Sequence, residues 1–345
     1  MEISYQSYQL KFKTPGGTSR GILTEKETYL IKLKTGGDSD PEFFGECGLF
    51  RGLSADDKPG YEEKLNQIKH DFFEMDSDEL WESLREFPSI QFGIEQIRQA
   101  QKHYNRNTHD DFNPILFPSG FTEGKDGITI NGLIWMGEID FMKKQIREKL
   151  DKNFHCIKLK IGVNWENEKK IIQNLRQEFS ENELELRVDA NGAFSFEKAK
   201  MVLEELAGLK IHSIEQPIKA GNIQEMAELC RSTPTPIALD EELIGVFHPQ
   251  EKKNLLEEIR PQYIILKPSL VGGWRGSQEW IDFAEKQNTG WWITSALESN
   301  IGLNAIAQWT YTLNNPMPQG LGTGSLFENN FYSRLKLEND RLYFR

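Results

Sequence analysis

Cysteine is scarce in this chain of 345 residues, and its few copies follow no pattern. Cys47, Cys156 and Cys230 are odd in number and unrelated in spacing, so they indicate neither a disulfide framework nor a zinc site. We expect all three to be reduced side chains in the packed interior.

Long apolar runs and a surplus of basic residues are also missing. No apolar stretch is long enough to cross a bilayer, and the first residues lack the charged and apolar regions of a signal peptide. The default expectation is a cytoplasmic protein with no membrane partner. The 53 acidic and 41 basic side chains give a formal net charge of −12, which argues against a nucleic-acid partner.

The second part of the chain alternates short apolar runs with helix-like segments. The runs are typical of short buried strands. They lie at 128–137, 156–162, 184–190, 212–217, 236–241, 263–269, 291–297 and 319–324. Between them, segments such as 165–179 and the one beginning at Ser195 have the periodicity of amphipathic helices. Eight strands and seven helices predict an α/β fold, a modified TIM-type (β/α)7β barrel.

The first 120 residues follow a different pattern. Extended segments before residue 54 are divided by glycine-rich turns at 16–17 and 36–37, as in a β-meander, and residues 60–105 are helical and charged. The C-terminal residues read as a strand that returns to this region. The predicted organisation is an α+β capping domain, 1–120 completed by 326–345, and a barrel catalytic domain, 121–325.

Five ionisable residues recur along the predicted barrel at nearly constant spacing. Lys160, Asp189, Glu215, Asp240 and Lys267 each end an apolar run, at intervals of 29, 26, 25 and 27 residues. They should meet at one rim, where barrel enzymes keep their active sites. Three hard carboxylates without a Cys or His ligand favour Mg²⁺, with Mn²⁺ as the alternative, and leave room for a substrate carboxylate. The alternative is that these acids are ordinary solvated residues at strand ends. That alternative would account for a single acid more easily than for three.

Two lysines, Lys158 and Lys160, alternate with aliphatic residues in the run CIKLKIG. Because side chains alternate across a strand, both lysines should point into the barrel and the aliphatic residues toward the helices. Their mutual repulsion and partial burial should lower the pKa of the lysines toward neutrality, which suits a general base. A solvated strand face is the alternative. Lys267 should approach a central substrate from the opposite side.

The strings KLKIG, RVDANGAF, SIEQP, IALDEE, IILKPSLVGG and TSALESNIGL resemble the muconate-lactonizing subgroup of the enolase superfamily, in particular its o-succinylbenzoate synthase family. The resemblance covers essentially the whole chain. It implies a barrel with seven helices under an α+β cap built from both termini. It also implies a Mg²⁺-dependent carbon–oxygen lyase of menaquinone biosynthesis, which dehydrates a succinyl-substituted hydroxycyclohexadiene carboxylate to o-succinylbenzoate through an enediolate. A small-molecule carboxylate is thus the expected partner.

The resemblance also implies a role for each rim residue. Lys160 matches the catalytic acid/base, Lys158 would tune and orient it, and Lys267 would stabilise the enediolate from the opposite face. The three metal ligands are matched by Asp189, Glu215 and Asp240. Lys160 would remove the proton α to the carboxylate and then protonate the departing hydroxyl on the same face.

Three polar residues near this rim are candidates for substrate binding. Arg187 could meet a substrate anion or pair with a neighbouring acid, and the sequence favours neither. Asn191 could orient the metal site or serve the turn in which it lies. Ser295, at the end of strand seven, could approach a carboxylate tail.

Backbone and loop positions add further candidates. Gly320 and Gly322 on strand eight could admit a carboxylate tail or simply allow tight packing. Arg20, within the loop 14–21, is expected to belong to a mobile lid that excludes water from the lysine pair.

Related functions remain open at this point. Two lysines that flank one α-carbon could instead serve an N-succinylamino-acid racemase or a dipeptide epimerase. The eighth strand, QGLGTG, lacks the Asp-x-Asp with which dipeptide epimerases of the subgroup hold an amino group. Lys267 stands where a mandelate-racemase type would have an Asp. A non-catalytic barrel scaffold is disfavoured because all five rim groups are present, and a homo-oligomer stays open.

Overall fold

A computed structural model describes residues 1–18, 21–37, 40–107 and 109–345. Its N-terminal part begins with an antiparallel sheet in the order β1-β2-β3. The strands are β1 (Glu2–Thr18), β2 (Gly21–Lys34) and β3 (Glu42–Cys47). Gly16 and Gly17 lie inside β1, paired with Leu23 and Ile22, so the turn expected at 16–17 is wrong. The glycines at 36–37 do form a bend, as predicted.

Three helices follow this sheet, within the predicted helical range 60–105. They are α1 (Tyr61–Glu74), α2 (Ser77–Ser83) and α3 (Pro88–Lys102). The carboxylate of Asp76 starts α2 by accepting hydrogen bonds from the backbone N–H groups of Asp78 and Glu79. Helix α3 packs closely on β3, since a Cβ on Gly93 would lie 2.6 Å from the sulfur of Cys47. Sheet and helices therefore form one α+β layer.

A curled parallel sheet in the order β5-β6-β7-β8-β9-β10-β11 forms the second part. The strands, together with β4 that precedes them, are β4 (Gly127–Thr129), β5 (Gly132–Ile134), β6 (Cys156–Lys160), β7 (Glu185–Asp189), β8 (Ser213–Glu215), β9 (Ile237–Leu239), β10 (Tyr263–Leu266) and β11 (Gly290–Ile293). Strand pairing sets Lys160 beside Asp189, and Asp189 beside Glu215. Three of the predicted rim residues therefore lie side by side at the ends of neighbouring strands, and Asp240 and Lys267 directly follow β9 and β10.

The predicted eighth strand is reduced to two bridging residues. Gln319 pairs with Ile130, and Gly320 pairs with Thr294 beyond β11. The Gln319 carbonyl accepts from Asn131 N–H, and Gly320 N–H donates to the Ile293 carbonyl. Residues 319–320 thus bond to both edges of the sheet and close the barrel, although 319–324 does not form the continuous strand that was expected.

Helices surround the barrel in the predicted alternation. They are α4 (Ile139–Leu150), α5 (Trp165–Glu178), α6 (Phe196–Gly208), α7 (Ile223–Ser232), α8 (Pro249–Ile259), α9 (Pro268–Val271), α10 (Gly273–Lys286) and α11 (Asn300–Thr312). The Ser195 hydroxyl caps α6, as the sequence predicted. Between helices and sheet lie buried aliphatic residues such as Ile157, Leu159 and Ile161, which face away from the lysines of the same strand.

The C-terminal residues serve both parts of the molecule. Phe327 forms a bridge with Phe12 of β1, and the Asn329 side chain bonds the backbone of Lys11 and Gln9, as expected for a segment returning to the cap. Beyond it, β12 (Leu335–Glu338) and β13 (Arg341–Phe344) form a hairpin on β4 instead. The single returning strand expected from the last residues is thus a hairpin, and its pairing partner is β4 and not the N-terminal sheet.

Two other expectations concern the cysteines and membrane-spanning helices. The three cysteines are free and buried, as predicted for packing residues. Within the described ranges, no helix has the length and apolarity needed to cross a membrane.

Candidate active site

The five rim residues and Lys158 meet at the carboxyl ends of neighbouring strands. All six are nearly buried, with exposed side-chain fractions between 1% and 12%. They come from β6 (Lys158, Lys160), β7 (Asp189), β8 (Glu215) and the residues that follow β9 (Asp240) and β10 (Lys267). The spacing pattern in the sequence therefore corresponds to a real cluster.

Each carboxylate of the cluster contacts at least one ammonium group. Lys158 Nζ lies 2.5 Å from Glu215 Oε2 and 3.2 Å from Asp189 Oδ2. Lys160 Nζ donates to the same Asp189 oxygen at 2.8 Å. On the other side, Lys267 Nζ donates to Asp240 Oδ2 and lies 3.9 Å from Glu215 Oε1. Three ammonium groups and three carboxylates thus balance one another.

Lys158 contradicts the expectation of a lowered lysine pKa. Burial alone would lower the pKa of Lys158, but Glu215 and Asp189 outweigh it, and the pKa is raised well above its usual value. The pKa of Lys267 is also raised, since Asp240 and Glu215 outweigh burial. For Lys158 the expectation was wrong because it counted burial and the repulsion between the lysines but not the carboxylates facing them.

One carboxylate of the cluster, Glu215, is not fully compensated by the lysines. Burial, followed by repulsion from Asp189, raises the pKa of Glu215 even though Lys158 contacts it. Glu215 Oε1 is buried and makes no hydrogen bond to any described residue. No three acidic, histidine or cysteine side chains of the described ranges are close enough to bind an ion as they stand. The donor set nevertheless fits a hard divalent ion, because three carboxylates end neighbouring strands and one of their oxygens lacks a donor.

A cavity of about 90 Å³ opens beside the cluster. Lys158, Lys160, Asp189 and Lys267 form its ionic wall. The apolar part of the lining combines cap and barrel residues: Leu23, Phe50, Leu53, Leu133, Trp135 and Leu297. A larger chamber of about 650 Å³ adjoins it and shares Leu53 and Asn191 with it. The cavity can therefore hold a molecule with one anionic and one apolar side.

Most of the predicted substrate-binding residues lie at this cavity. Asn191, Ser295, Gly320 and Gly322 all line it. The Asn191 side-chain oxygen accepts from Lys160 Nζ at 2.7 Å, and the Asn191 backbone N–H donates to Asp189 Oδ1 at 3.1 Å, so Asn191 contacts both the lysine and a proposed metal ligand. The Ser295 hydroxyl bonds the Gly320 carbonyl at 3.2 Å, which ties strand seven to the closing segment.

Arg187 does not line the cavity, so of the two roles left open for it, contact with a substrate anion is not the one observed. Its Nε donates to Glu185 at 2.6 Å, its Nη1 donates to the Pro318 carbonyl at 3.0 Å, and its guanidinium stacks 4.3 Å from the Trp292 ring. The other role, an ion pair with a neighbouring acid, describes it. Arg20 lies outside the described residues, so the lid at 14–21 stays a prediction.

The sequence analysis missed the apolar lining of the cavity and three of its polar residues, Asn131, Thr294 and Thr323. Asn131, Leu133 and Trp135 alternate on the predicted first strand, so strand periodicity could have found them. Phe50 and Leu53 follow the GECG segment of the cap, and only the tertiary fold brings them to the barrel.

Comparisons with known proteins agree with this arrangement. Residues 141–343 match the family model described as enolase C-terminal domain-like. The chain is 40% identical to an o-succinylbenzoate synthase of Desulfotalea psychrophila over 99% of this chain and 98% of that protein. An N-succinylamino acid racemase of Thermus thermophilus is 30% identical, over 46% of this chain and 40% of its own length.

A solved structure gives the same result for the fold. The crystal structure of MenC from Desulfotalea psychrophila superposes with a TM-score of 0.85 at 37% sequence identity, covering 99% of each chain. Enolase-superfamily membership implies a divalent metal ion and a small-molecule substrate. The full-length match at 40% identity, together with the ionic cluster at the barrel rim, shows that the chain belongs to the o-succinylbenzoate synthase family of the enolase superfamily.

Proposed function

We propose that this chain dehydrates a succinyl-substituted hydroxycyclohexadiene carboxylate to o-succinylbenzoate. The observation that carries the proposal is a pair of lysines, Lys160 and Lys267, which reach one cavity from β6 and from the end of β10. The full-length similarity to an o-succinylbenzoate synthase supports the choice of reaction.

Lys160 is the proposed acid/base. Its Nζ lines the cavity and is oriented by Asp189 and Asn191, at 2.8 and 2.7 Å. As a neutral amine it takes the proton α to the substrate carboxylate, and the resulting ammonium gives that proton to the departing hydroxyl, which leaves as water. The proton is thus returned within one turnover, and both transfers use the same face of the ring.

Lys267 is proposed to act without transferring a proton. Its ammonium group faces the same cavity from across the barrel and is held by Asp240. A fixed positive charge there stabilises the negative charge that develops on the substrate carboxylate after proton removal. Lys158 holds Asp189 and Glu215 in place beneath Lys160.

Asp189, Glu215 and Asp240 are the proposed ligands of Mg²⁺. When bound, the ion supplies positive charge next to the substrate carboxylate. Charge balance supports this role: with Lys160 neutral, Lys158 and Lys267 offset two of the three carboxylates, and a dication then gives the group a net positive charge that attracts an anionic substrate. The pocket therefore favours an anionic substrate bound together with the metal.

Racemisation of N-succinylamino acids is the second candidate, because two lysines at one cavity can in principle exchange a proton across both faces. Dipeptides are poorer substrates for this cavity. Asp189, a proposed metal ligand, is the carboxylate among its lining residues, so an amino group would find no acid of its own there.

The test is to incubate the purified protein with the hydroxycyclohexadiene substrate and Mg²⁺ and to follow loss of the diene absorbance. We expect turnover with Mg²⁺, abolition by EDTA and recovery when Mg²⁺ is restored. No turnover in a folded protein would reject the dehydration. A parallel assay of α-proton exchange in D₂O with N-succinylamino acids would then decide for or against the second candidate.

A further inference from the structure

A second group of buried charges lies where the cap meets the barrel, apart from the rim cluster. Lys26 of β2, Glu46 of β3 and Glu298 after β11 expose 5%, 0% and 0% of their surface. They come from both parts of the molecule, and the proposed reaction uses none of them. Buried charges of this kind are costly unless they are compensated, so their arrangement calls for a reason.

Glu46 fastens the cap to a barrel helix. Its two carboxylate oxygens accept from the backbone N–H of Ser299 at 2.8 Å, from the Ser299 hydroxyl at 2.5 Å and from Gly302 N–H at 2.9 Å. Thr28 of the cap donates a further bond at 2.9 Å. Glu46 therefore caps the start of α11 with a carboxylate from another part of the fold, where the helix dipole favours negative charge.

Glu298 performs a similar task inside the barrel rim. It accepts from Ala296 N–H at 2.7 Å and from the Ser269 hydroxyl, and so joins the loops that follow β11 and β10. Ala296 and Leu297 line the cavity, and Ser269 lies two residues beyond Lys267. Glu298 thus holds the part of the rim that presents the apolar wall.

Lys26 brings a buried ammonium to the same contact, and that ammonium makes no hydrogen bond to any described residue, so it acts on the two carboxylates through its charge alone. Burial lowers the pKa of Lys26, while Glu46 and Glu298 act in the opposite direction and favour its charged form. The ammonium lies 6.0 Å from the ring of Phe50, which lines the cavity. Lys26 itself does not line it, so it cannot touch a substrate.

The backbone at this contact has no spare room. A Cβ on Gly48 would lie 2.9 Å from Cβ of Ser269, and a Cβ on Gly302 would lie 2.8 Å from Glu46 Oε2. Cap residues 46–50 and the two rim loops are therefore pressed together. A small displacement of the charged group must move residues of the cavity wall.

We propose that Lys26, Glu46 and Glu298 form a positioning unit that holds the cap residue Phe50 and the rim residues Ala296 and Leu297 in the geometry that binds the substrate. The inference rests on the proposed function for its substrate and on the contacts above for its mechanism. The Lys26 ammonium offsets the charge of one of the two carboxylates. In this proposal the net charge of the group, and not any contact made by the Lys26 side chain, keeps the cavity wall in place.

A charge-balance experiment tests this unit. Lys26→Met leaves two buried carboxylates without a cation, whereas the double variant K26M/E298Q returns the group to its original net charge. Gln at 298 can still accept from Ala296 N–H and can donate to the Ser269 hydroxyl. We expect KM to rise about tenfold in K26M with kcat nearly unchanged, and to return close to wild type in the double variant.

Lys252→Met is the matched control. Lys252 is 1% exposed and pairs with Glu279 at 2.8 Å between α8 and α10, away from the cavity. We expect this variant to lower the thermal midpoint without changing KM. An unchanged KM in K26M, or a KM in K26M/E298Q no better than in K26M, would overturn the proposal. If K26M does not fold, a folded double variant supports it and an unfolded one rejects it.

Amide hydrogen exchange gives a readout that does not depend on turnover. We expect faster exchange in residues 47–54 and 294–299 of K26M, restored in K26M/E298Q and absent from K252M. If wild type fails to turn over the cyclohexadiene substrate, the proposed function fails while this comparison still decides the positioning unit. Unchanged exchange in K26M would reject the unit even in an active enzyme.

Discussion

Strand β7 carries two charged residues into the barrel interior, and their surroundings differ sharply. Asp189 and Arg187 are each 1% exposed and lie two residues apart on the same face of the strand. Asp189 borders the cavity and contacts two lysines, whereas Arg187 is enclosed by Glu185, the Pro318 carbonyl and Trp292. Within β7, therefore, the residue at the carboxyl end of the strand faces the cavity, whereas the residue two positions earlier serves packing.

The largest effect is expected from removing Lys160, the proposed base at the cavity end of the barrel. We expect Lys160→Ala to lose at least about 10³-fold in kcat, because one residue both takes and returns the proton. Folding should be retained, since Asp189 keeps its contact with Lys158 at 3.2 Å. Steady-state kinetics and a thermal unfolding curve measure the two effects, and turnover close to wild type would refute the role of Lys160.

The second variant removes the charge of Arg187, which lies deeper in the barrel and away from the cavity. We expect Arg187→Met to lower the free energy of unfolding by about 3 kcal/mol, because Glu185 loses its partner and the Pro318 carbonyl loses its donor. The ratio kcat/KM should stay within about threefold of wild type, since Arg187 does not line the cavity. Urea unfolding and kinetics on one preparation measure both.

These two variants serve as controls for each other. Lys160→Ala should affect activity far more than stability, and Arg187→Met should do the reverse. A loss of activity in Arg187→Met as large as in Lys160→Ala would mean that Arg187 and the residues at the cavity act as one unit. The contrast between the two positions of β7 would then be wrong.

The positions of the charged residues at the cavity could be predicted well, because the sequence patterns that indicate them are local. Strand alternation turns Lys158 and Lys160 inward, and a spacing near one β/α unit brings Asp189, Glu215 and Asp240 to the same rim. Both patterns can be read from the order of residues alone. The same holds for the helix start at Ser195 and for the seven larger barrel helices of the described chain.

The partners of these residues could not be predicted in the same way. Lys158 contacts carboxylates that lie 31 and 57 residues later, and these reverse the expected direction of its pKa shift. Sequence reasoning left Arg187 undecided, since its partners include a backbone carbonyl 131 residues away. The pairing of β13 with β4 could not be predicted either, because an alternating sequence pattern identifies a strand but not the strand with which it pairs.

Asp56 in the cap differs from both Asp189 and Arg187, because it is a buried acid that forms no ion pair with a lysine of the described chain and does not line the cavity. Asp56 is 0% exposed and accepts from Ser89 N–H at 2.9 Å and from the Ser89 hydroxyl at 2.6 Å. Its Oδ1 has no hydrogen-bond partner among the described residues. Burial raises the pKa of Asp56 from 3.8 to about 6, because the Ser89 bonds do not offset the loss of water.

The stability that depends on Asp56 should therefore decrease as the pH rises. The folded protein holds this proton more tightly than the unfolded chain, so the contribution is complete below pH 3.8 and is lost toward pH 6. In Asp56→Asn the group no longer titrates, while its amide can still bond both Ser89 groups. Between pH 4.5 and 6 we expect the variant to gain about 2 kcal/mol relative to wild type in urea unfolding. A difference between the two proteins that does not change with pH would show that Asp56 is ionised in the folded cap, like Asp189, and that a carboxylate buried without a lysine needs no proton.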